Sequence, residues 1–76
     1  MTRTFLLLQL DSEGSPYSRV AEILEHLGFV PETEGYDFVY EWGRAASVGE
    51  TLEFADRIQA ALQGTNVHFR IESSEE

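Results

Sequence analysis

The sequence has no cysteine, no lysine and no long apolar run. Without cysteine the chain cannot form a disulfide, hold a metal through thiolates or use a thiol nucleophile. Its apolar runs are far shorter than the roughly 20 residues that cross a bilayer. We therefore expect a soluble, cytoplasmic protein that has no cofactor and depends on its core for stability.

Basic residues are few, which limits the choice of partner. The chain has 14 acidic residues against 5 basic ones, a formal net charge of -9. The basic residues are scattered along the chain: Arg3, Arg19, Arg44, Arg57 and Arg70. Nucleic-acid binding depends on neutralising phosphates, and anionic membranes repel acidic surfaces. We therefore expect neither nucleic acid nor a membrane as partner.

The acidity has two interpretations. In a salty cytoplasm an acidic surface keeps a protein dissolved, and salt screens its self-repulsion. Alternatively, carboxylates take the place of phosphates, and the protein mimics nucleic acid to occupy a basic partner. The acidic surface without lysine favours salt adaptation.

Hydrophobic periodicity predicts six elements in the order β-α-β-β-α-β within a single domain, residues 1–76. The predicted strands are residues 4–10, 29–32, 36–42 and 66–72, and the helices fall between the first and second and between the third and fourth. The last residues contain nothing apolar, so we expect order over about 3–72 and a frayed tail at 73–76.

Helix boundaries have local signals. Ser15 is predicted to cap the first helix with Pro16 at its first position, and Gly28 to end it. Ser47 and Glu50 form a capping box that begins the second helix, which Gly64 ends. The predicted buried stripes are Val20, Ile23, Leu24 and Leu27 on the first helix, and Leu52, Ala55, Ile58 and Leu62, broadened by Val48, Phe54 and Ala61, on the second.

This element order predicts an α+β, ferredoxin-like fold: a four-stranded antiparallel sheet with both helices on one face. The first and third strands are then central. The second and fourth are edges, which suits Pro31 because proline cannot donate to a ladder. Leu6, Leu8 and Leu10 of the first strand, and Val67, Phe69 and Ile71 of the fourth, are predicted to face the helices.

The stretch "GYDFVYEW" has an aromatic ring at every second position. Either Tyr36, Phe38, Tyr40 and Trp42 face the helices, or Asp37, Val39 and Glu41 do. The second choice would bury two unpaired carboxylates, each at a free-energy cost of several kcal/mol, so the rings are predicted to lie inward. An RNA-binding platform also uses aromatics on this strand, but acids stand here where its basic residues belong.

The opposite sheet face is then the candidate interaction surface. Phe5, Leu7 and Val39 are expected to form its exposed apolar centre, and an exposed apolar patch with a polar rim often marks a protein contact. The full predicted interaction face is Phe5, Leu7, Gln9, Asp37, Val39, Glu41, His68 and Arg70.

Catalytic and metal motifs are sparse. Glu22 and His26 share a helix face, and His68 and Glu72 share a strand face, but neither pair has an evident third ligand. The acidic loop "PETEGYD" lacks the spacing of a calcium site. Acylphosphatases of this fold need a glycine-rich anion-binding loop at the position where this chain has "DSEGSP". Metal-binding domains of the same fold need two cysteines. We expect no catalytic, cofactor or metal site.

The stretches "GYDFVYEWGR" and "SVGETLEFADRIQAALQGTNVHFRIE" resemble the second half of small uncharacterised archaeal proteins of ferredoxin-like fold. In these proteins an aromatic strand, a helix and a "GT-x-V-x-F" strand follow in the same order. The resemblance implies this fold and agrees with salt adaptation. It brings no functional residues with it.

The leading hypothesis from the sequence is a non-enzymatic protein-interaction or dimerisation module that uses the open sheet face or an edge strand. The partner would be another protein or a second copy of the chain. The alternative is a small-ligand-sensing regulatory domain, which in this fold binds effectors between paired sheets. A nucleic-acid mimic comes third.

Overall fold

Six elements follow one another in the predicted order within residues 1–75, which the computed structural model describes. They are β1 (Thr2–Gln9), α1 (Tyr17–His26), β2 (Val30–Pro31), β3 (Phe38–Glu41), α2 (Val48–Ala61) and β4 (His68–Glu75). The sheet order is β2-β3-β1-β4, and every neighbouring pair is antiparallel. The predicted α+β class is confirmed, as are the central positions of β1 and β3.

The core lies on one face of the sheet, called here the inner face. Leu6 of β1 and Phe38 of β3 are cross-strand partners, and they belong to one cluster with buried residues of both helices. Its buried members are Leu6, Val20, Leu24, Phe29, Phe38, Phe54, Ile58 and Leu62. The predicted inward residues Leu8, Val67, Phe69 and Ile71 pack against this cluster. The other face of the sheet is called the open face.

The first strand begins earlier than predicted. Thr2 and Thr4 are buried in line with Leu6, and their hydroxyls are satisfied: Thr2 Oγ1 accepts from the Ala46 N–H at 2.8 Å and donates to Glu75 at 2.7 Å. Leu10 lies beyond the strand and is 41% exposed, so its predicted inward position is wrong. A buried threonine with partners costs little, so the strand can start on polar residues.

The fourth strand ends later than predicted. Ser73, Ser74 and Glu75 pair with Thr4, Arg3 and Thr2 of β1, so the residues of the predicted tail up to 75 belong to β4. Glu76 lies outside the described residues. Backbone hydrogen bonds to β1 hold this segment although it contains no apolar side chain.

The two helix starts had different outcomes. The capping box of α2 is confirmed: Ser47 Oγ accepts from the Glu50 N–H at 3.1 Å, and the Glu50 carboxylate accepts from the Ser47 N–H at 3.0 Å. The predicted cap at Ser15 is wrong. Helix α1 begins at Tyr17 with Pro16 as N-cap and no side-chain cap. The Ser15 N–H instead donates to Thr65 O at 3.1 Å, which ties this loop to the end of α2.

The buried stripe of α2 is rotated from the predicted one. Phe54, Ile58 and Leu62 are buried, whereas Val48 is 75% and Leu52 62% exposed. The predicted burial of Val48 and Leu52 is therefore wrong. Phe54 sets the rotation because its ring packs within 5.5 Å of the rings of the inner-face aromatics Phe29, Tyr40 and Trp42. A buried aromatic ring contributes a large apolar area together with specific ring contacts, so the side of α2 that bears Phe54 faces the core.

The end of α1 follows the prediction at Gly28. The Phe29 N–H donates to Leu24 O and the Gly28 N–H to Glu25 O, which together form a Schellman motif. Gly28 has a φ of +101°, and a Cβ there would lie 2.8 Å from Tyr40 Cε1. Glycine is thus required both for the backbone conformation and for the close approach of β3.

Replacing Gly28 by alanine should destabilise the protein by about 1–3 kcal/mol, from left-handed strain together with the contact on Tyr40. Gly35→Ala is the matched control, since Gly35 has a φ of +87° but nothing within 4 Å of its Cβ position. Urea unfolding measures both free energies of unfolding. Equal losses for the two variants would contradict a role for the Tyr40 contact.

The pKa of Glu50 should appear in acid stability. A hydrogen bond from Arg44 and the Ser47 N–H lower this pKa to about 2. A depressed folded-state pKa stabilises the fold above the ordinary glutamate value, and this stabilisation is lost as pH falls from about 5 to about 2. The difference in unfolding free energy between the protein and Glu50→Gln should therefore shrink over that interval. Glu53→Gln removes the same charge from an exposed position on α2 and controls for net charge; a constant difference for Glu50→Gln would contradict the assignment.

Candidate functional site: the open face and the edge of β4

Three of the four aromatic residues of "GYDFVYEW" lie inward, as predicted. Phe38 is buried, and Tyr40 and Trp42 pack against the core cluster. Trp42 Nε1 donates to Thr4 Oγ1 at 2.9 Å, so the indole N–H has the polar partner that a partly buried tryptophan requires. These rings are core.

Tyr36 is the exception, and a β-bulge explains why. The Asp37 N–H donates to Leu6 O at 2.9 Å, although the ladder partner of Leu6 is Phe38. Two successive residues therefore oppose one residue of β1, which breaks the alternation of side chains. The Asp37 carboxylate also accepts from the Leu8 N–H at 2.7 Å. The predicted inward position of Tyr36 is wrong because the extra residue shifts it to the open face.

On the open face, Tyr36 covers Phe5. The two rings stack with centroids 4.6 Å apart and an interplanar angle of 30°. The Tyr36 hydroxyl donates to the Glu72 carboxylate, and Glu72 is the cross-strand partner of Phe5 on β4. This hydrogen bond, with desolvation and the charge of Glu72, raises the pKa of Tyr36 above its ordinary value.

Register places most of the predicted interaction face together. Among its members, Phe5 pairs with Val39, Leu7 with Arg70 and Gln9 with His68, while Glu41 pairs with Arg3, which was not predicted to belong to the face. Directly opposed residues share a sheet face. Asp37 is the member that departs from this arrangement, because it belongs to the bulge and its carboxylate is bound to the backbone of β1.

The apolar centre differs from the predicted one. Val39 is only 6% exposed, since it lies between its partners Phe5 and Val30 in the register, so the expectation that it is exposed is wrong. Phe5, Leu7 and Tyr36 are half-buried, and Val30 is exposed. Sequence reasoning missed Tyr36 and Val30. Strand alternation contains no signal for the bulge, and Asp37 at the start of the strand is its only local indication.

Ion pairs border the aromatic stack on both sides. Arg3 lies 2.8 Å from Glu41, and Arg70 lies 3.2 Å from Glu72. Exposed pairs of this kind contribute about 0–1 kcal/mol to stability. The open face thus has an aromatic centre with paired charges at its margins.

The two edges of the sheet are unlike each other. Strand β2 has two residues, of which Pro31 cannot extend a ladder. Strand β4 has eight residues, no proline and no buried residue. Its partner β1, also eight residues long, buries three. The edge of β4 is thus long, regular and exposed.

A shallow groove of about 370 Å³ lies where the β1–β4 ladder ends. Leu7, Gln9, His68 and Arg70 line it from the open face, and the inner-face residues Leu8 and Phe69 also line it. Leu7 and Arg70 are directly opposite each other. The groove can accommodate an apolar side chain beside a cation.

The metal and catalytic candidates are not assembled into a site. Glu22 lies 3.9 Å from Arg19, and the Glu32 carboxylate of the acidic loop accepts from the Thr33 N–H at 2.8 Å. Glu72 contacts Tyr36 and Arg70. Among residues 1–75 no group of three or more histidine, aspartate or glutamate side chains could hold a metal ion.

The helices of the described part of the chain are too short or too polar to span a bilayer. Comparison with protein-family models, with curated proteins and with solved structures finds no match. Any functional assignment therefore depends on the open face, the groove and the edge of β4.

The Tyr36–Glu72 contact predicts an alkaline titration. A raised folded-state pKa stabilises the fold at pH values below the ordinary tyrosine pKa of about 10. This stabilisation is lost as the pH rises through the raised pKa. Glu72→Gln should move the pKa of Tyr36 towards its ordinary value, as read from phenolate absorbance with Tyr36→Phe assigning the signal. Glu41→Gln, which removes the same charge elsewhere on the open face, should leave it in place; an equal change would contradict a specific contact.

Proposed function

We propose that this chain is a non-enzymatic protein-interaction module of ferredoxin-like topology, whose partner is a second copy of itself. The topology is supported by the strand order, which read from β4 is 4-1-3-2 with all neighbours antiparallel. The helices connect the first strand to the second and the third to the fourth, as in that fold.

One observation carries the proposal of association: no residue of β4 is buried, although the strand has eight residues. Edge strands present unpaired N–H and C=O groups, and proteins usually shorten, bend or interrupt such edges. At the other edge, β2 is short and contains Pro31. A second chain at β4 would satisfy the exposed backbone and complete the burial of Phe69 and Ile71, which are half-buried.

The composition of the open face also suits a protein partner. Aromatic residues and arginine are enriched at protein interfaces, and Phe5, Tyr36 and Arg70 lie together here around Glu72. A nucleic acid is less suited to this surface. The hydroxyl of Tyr36 is bound to a carboxylate, and the net charge of -9 repels a phosphate backbone.

Charge sets the conditions for association. At a separation of about 25 Å, one of the principal dimensions of the molecule, two copies of charge -9 repel by on the order of 10 kcal/mol in salt-free water. A Debye length of about 8 Å at 0.15 M reduces this by more than about tenfold. Self-association should therefore strengthen with salt.

Light scattering behind a sizing column, at several protein concentrations, tests the proposal. We expect a dimer at about 1 M salt and dissociation towards monomer near 0.01 M, where screening is weak. Leu7→Asp puts a carboxylate into the groove beside Phe69 and should shift the mass towards monomer at high salt, with an unchanged circular dichroism spectrum.

Val30→Asp is the matched control, because it adds the same charge to an apolar side chain on the open face at the β2 edge. It should leave the dimer intact. A monomer at every concentration and salt would contradict self-association. A dimer that Leu7→Asp does not weaken would remove the groove from the interface.

A further inference from the structure

The direction of the backbone groups of β4 follows from the ladder. The Thr2 N–H donates to Arg44 O and Thr2 O accepts from the Trp42 N–H, so the backbone of Thr2 points towards β3. The backbone groups of successive residues point to opposite sides of a strand, so the next residues along β1 point towards β4. These residues are Arg3, Phe5, Leu7 and Gln9. Their hydrogen-bonded partners on β4, whose backbone groups point back towards β1, are Ser74, Glu72, Arg70 and His68. The backbone groups of the residues between, Phe69, Ile71 and Ser73, point outward from the sheet.

The sequence of this edge is complementary to itself. In an antiparallel pair with a twofold axis at Ile71, Phe69 opposes Ser73 of the second copy, and Ser73 opposes its Phe69. These are the outward-pointing residues, so the three pairs supply about six backbone hydrogen bonds. Between them, Arg70 of each copy stands directly opposite Glu72 of the other.

We propose that two copies join through β4 in this register, with the axis at Ile71 and two reciprocal Arg70–Glu72 pairs, forming a continuous eight-stranded sheet. The inference rests on the proposed self-association and specifies its geometry. Both side chains lie on the open face, in non-hydrogen-bonded positions where opposed side chains approach most closely. Glu72 is already oriented there by the Tyr36 hydroxyl.

Neighbouring registers are disfavoured by charge. Moving the axis to Arg70 would place the two Arg70 side chains opposite each other, and moving it to Glu72 would do the same for the glutamates. Directly opposed like charges destabilise a strand pair. Among the three registers that align the outward-pointing backbone groups around these positions, the axis at Ile71 alone pairs opposite charges.

Helix α2 supplies an independent observation. Val48 and Leu52 are its two exposed large apolar residues, one turn apart and so on one side of the helix. Val48 lines a depression together with Ser73, Ser74 and Glu75 of β4. Val48 therefore lies beside the last residues of the edge strand.

The twofold axis brings Val48 towards an apolar side chain of the second copy. Ser73 of one copy opposes Phe69 of the other, and Phe69 is half-buried on the inner face, which the helices cover. Val48 of each copy is thus directed towards Phe69 of the other. The same register accounts for the charges and for this exposed apolar residue.

Charge reversal tests the register. Arg70→Glu leaves two acids at these positions of the strand, and Glu72→Arg leaves two arginines. Each variant alone should have a dimer dissociation constant raised by about tenfold or more, because every reciprocal pair becomes a like-charge pair. An equimolar mixture should recover association close to that of the unmodified protein, since the two acids of one variant then face the two arginines of the other.

Arg19→Glu is the control for net charge. It makes the same change of two charge units as Arg70→Glu, at an exposed position on α1, and should leave the dissociation constant nearly unchanged. Circular dichroism and the thermal midpoint confirm that each variant is folded. An equal loss for Arg19→Glu would show that overall charge, not the register, determines the result.

Disulfide formation gives a second reading of the same register, and the chain has no cysteine of its own. Paired residues at non-hydrogen-bonded positions have Cα atoms about 4.5 Å apart, within disulfide range. Arg70→Cys mixed with Glu72→Cys should cross-link rapidly on oxidation. Each alone should cross-link slowly, because two copies of one residue are then about 8 Å apart.

The outcomes separate the inference from the proposed function. An unmodified protein that stays monomeric contradicts both. A dimer that neither charge reversal weakens, or that cross-links as fast through Arg70→Cys alone as through the mixture, overturns this register and leaves self-association standing. Rescue in the mixture together with mixed cross-linking supports the inference.

Discussion

The antiparallel pairing of β1 with β4 is the constraint on which the other elements depend. It runs over all eight residues of each strand and joins Thr2 to Glu75. The Thr2 hydroxyl also holds the Ala46 N–H, one residue before the cap of α2, so the start of that helix is fixed to the same end of the ladder. Because β1 lies between β4 and β3 in the sheet, its inner-face side chains pack against both helices, and its second ladder pairs it with β3.

The sequence was informative where a signal is local. Element order, the Ser47–Glu50 capping box and the glycine after α1 depend on residues within a few positions of one another, and each was predicted. The errors arise from pairing between distant segments. Tyr36 changes face because a bulge forms against β1, and β4 continues past residue 72 because β1 begins at Thr2. Periodicity also could not orient α2, since Phe54 and its ring contacts decide which side is buried.

The candidate surface was predictable in part for the same reason. Alternation correctly grouped Phe5, Leu7 and Arg70, whose faces are set by register with neighbouring strands. It did not show that Tyr36 would cover Phe5 or that Val39 would be enclosed by its cross-strand partners. The open face consequently has less bare apolar surface than the sequence suggests.

The β1–β4 ladder has a consequence for how the chain folds. The Thr2–Glu75 contact closes a loop across 73 positions, so the two strands cannot meet until nearly all of the described chain has been synthesised. Contacts of such long sequence separation slow folding, although the entropy of closing the loop rises only logarithmically with its length. During synthesis, the edge of β1 that pairs with β4 stays unpaired until β4 has been made. Unpaired strand edges favour aggregation, so pairing with β4 removes an aggregation-prone edge of β1.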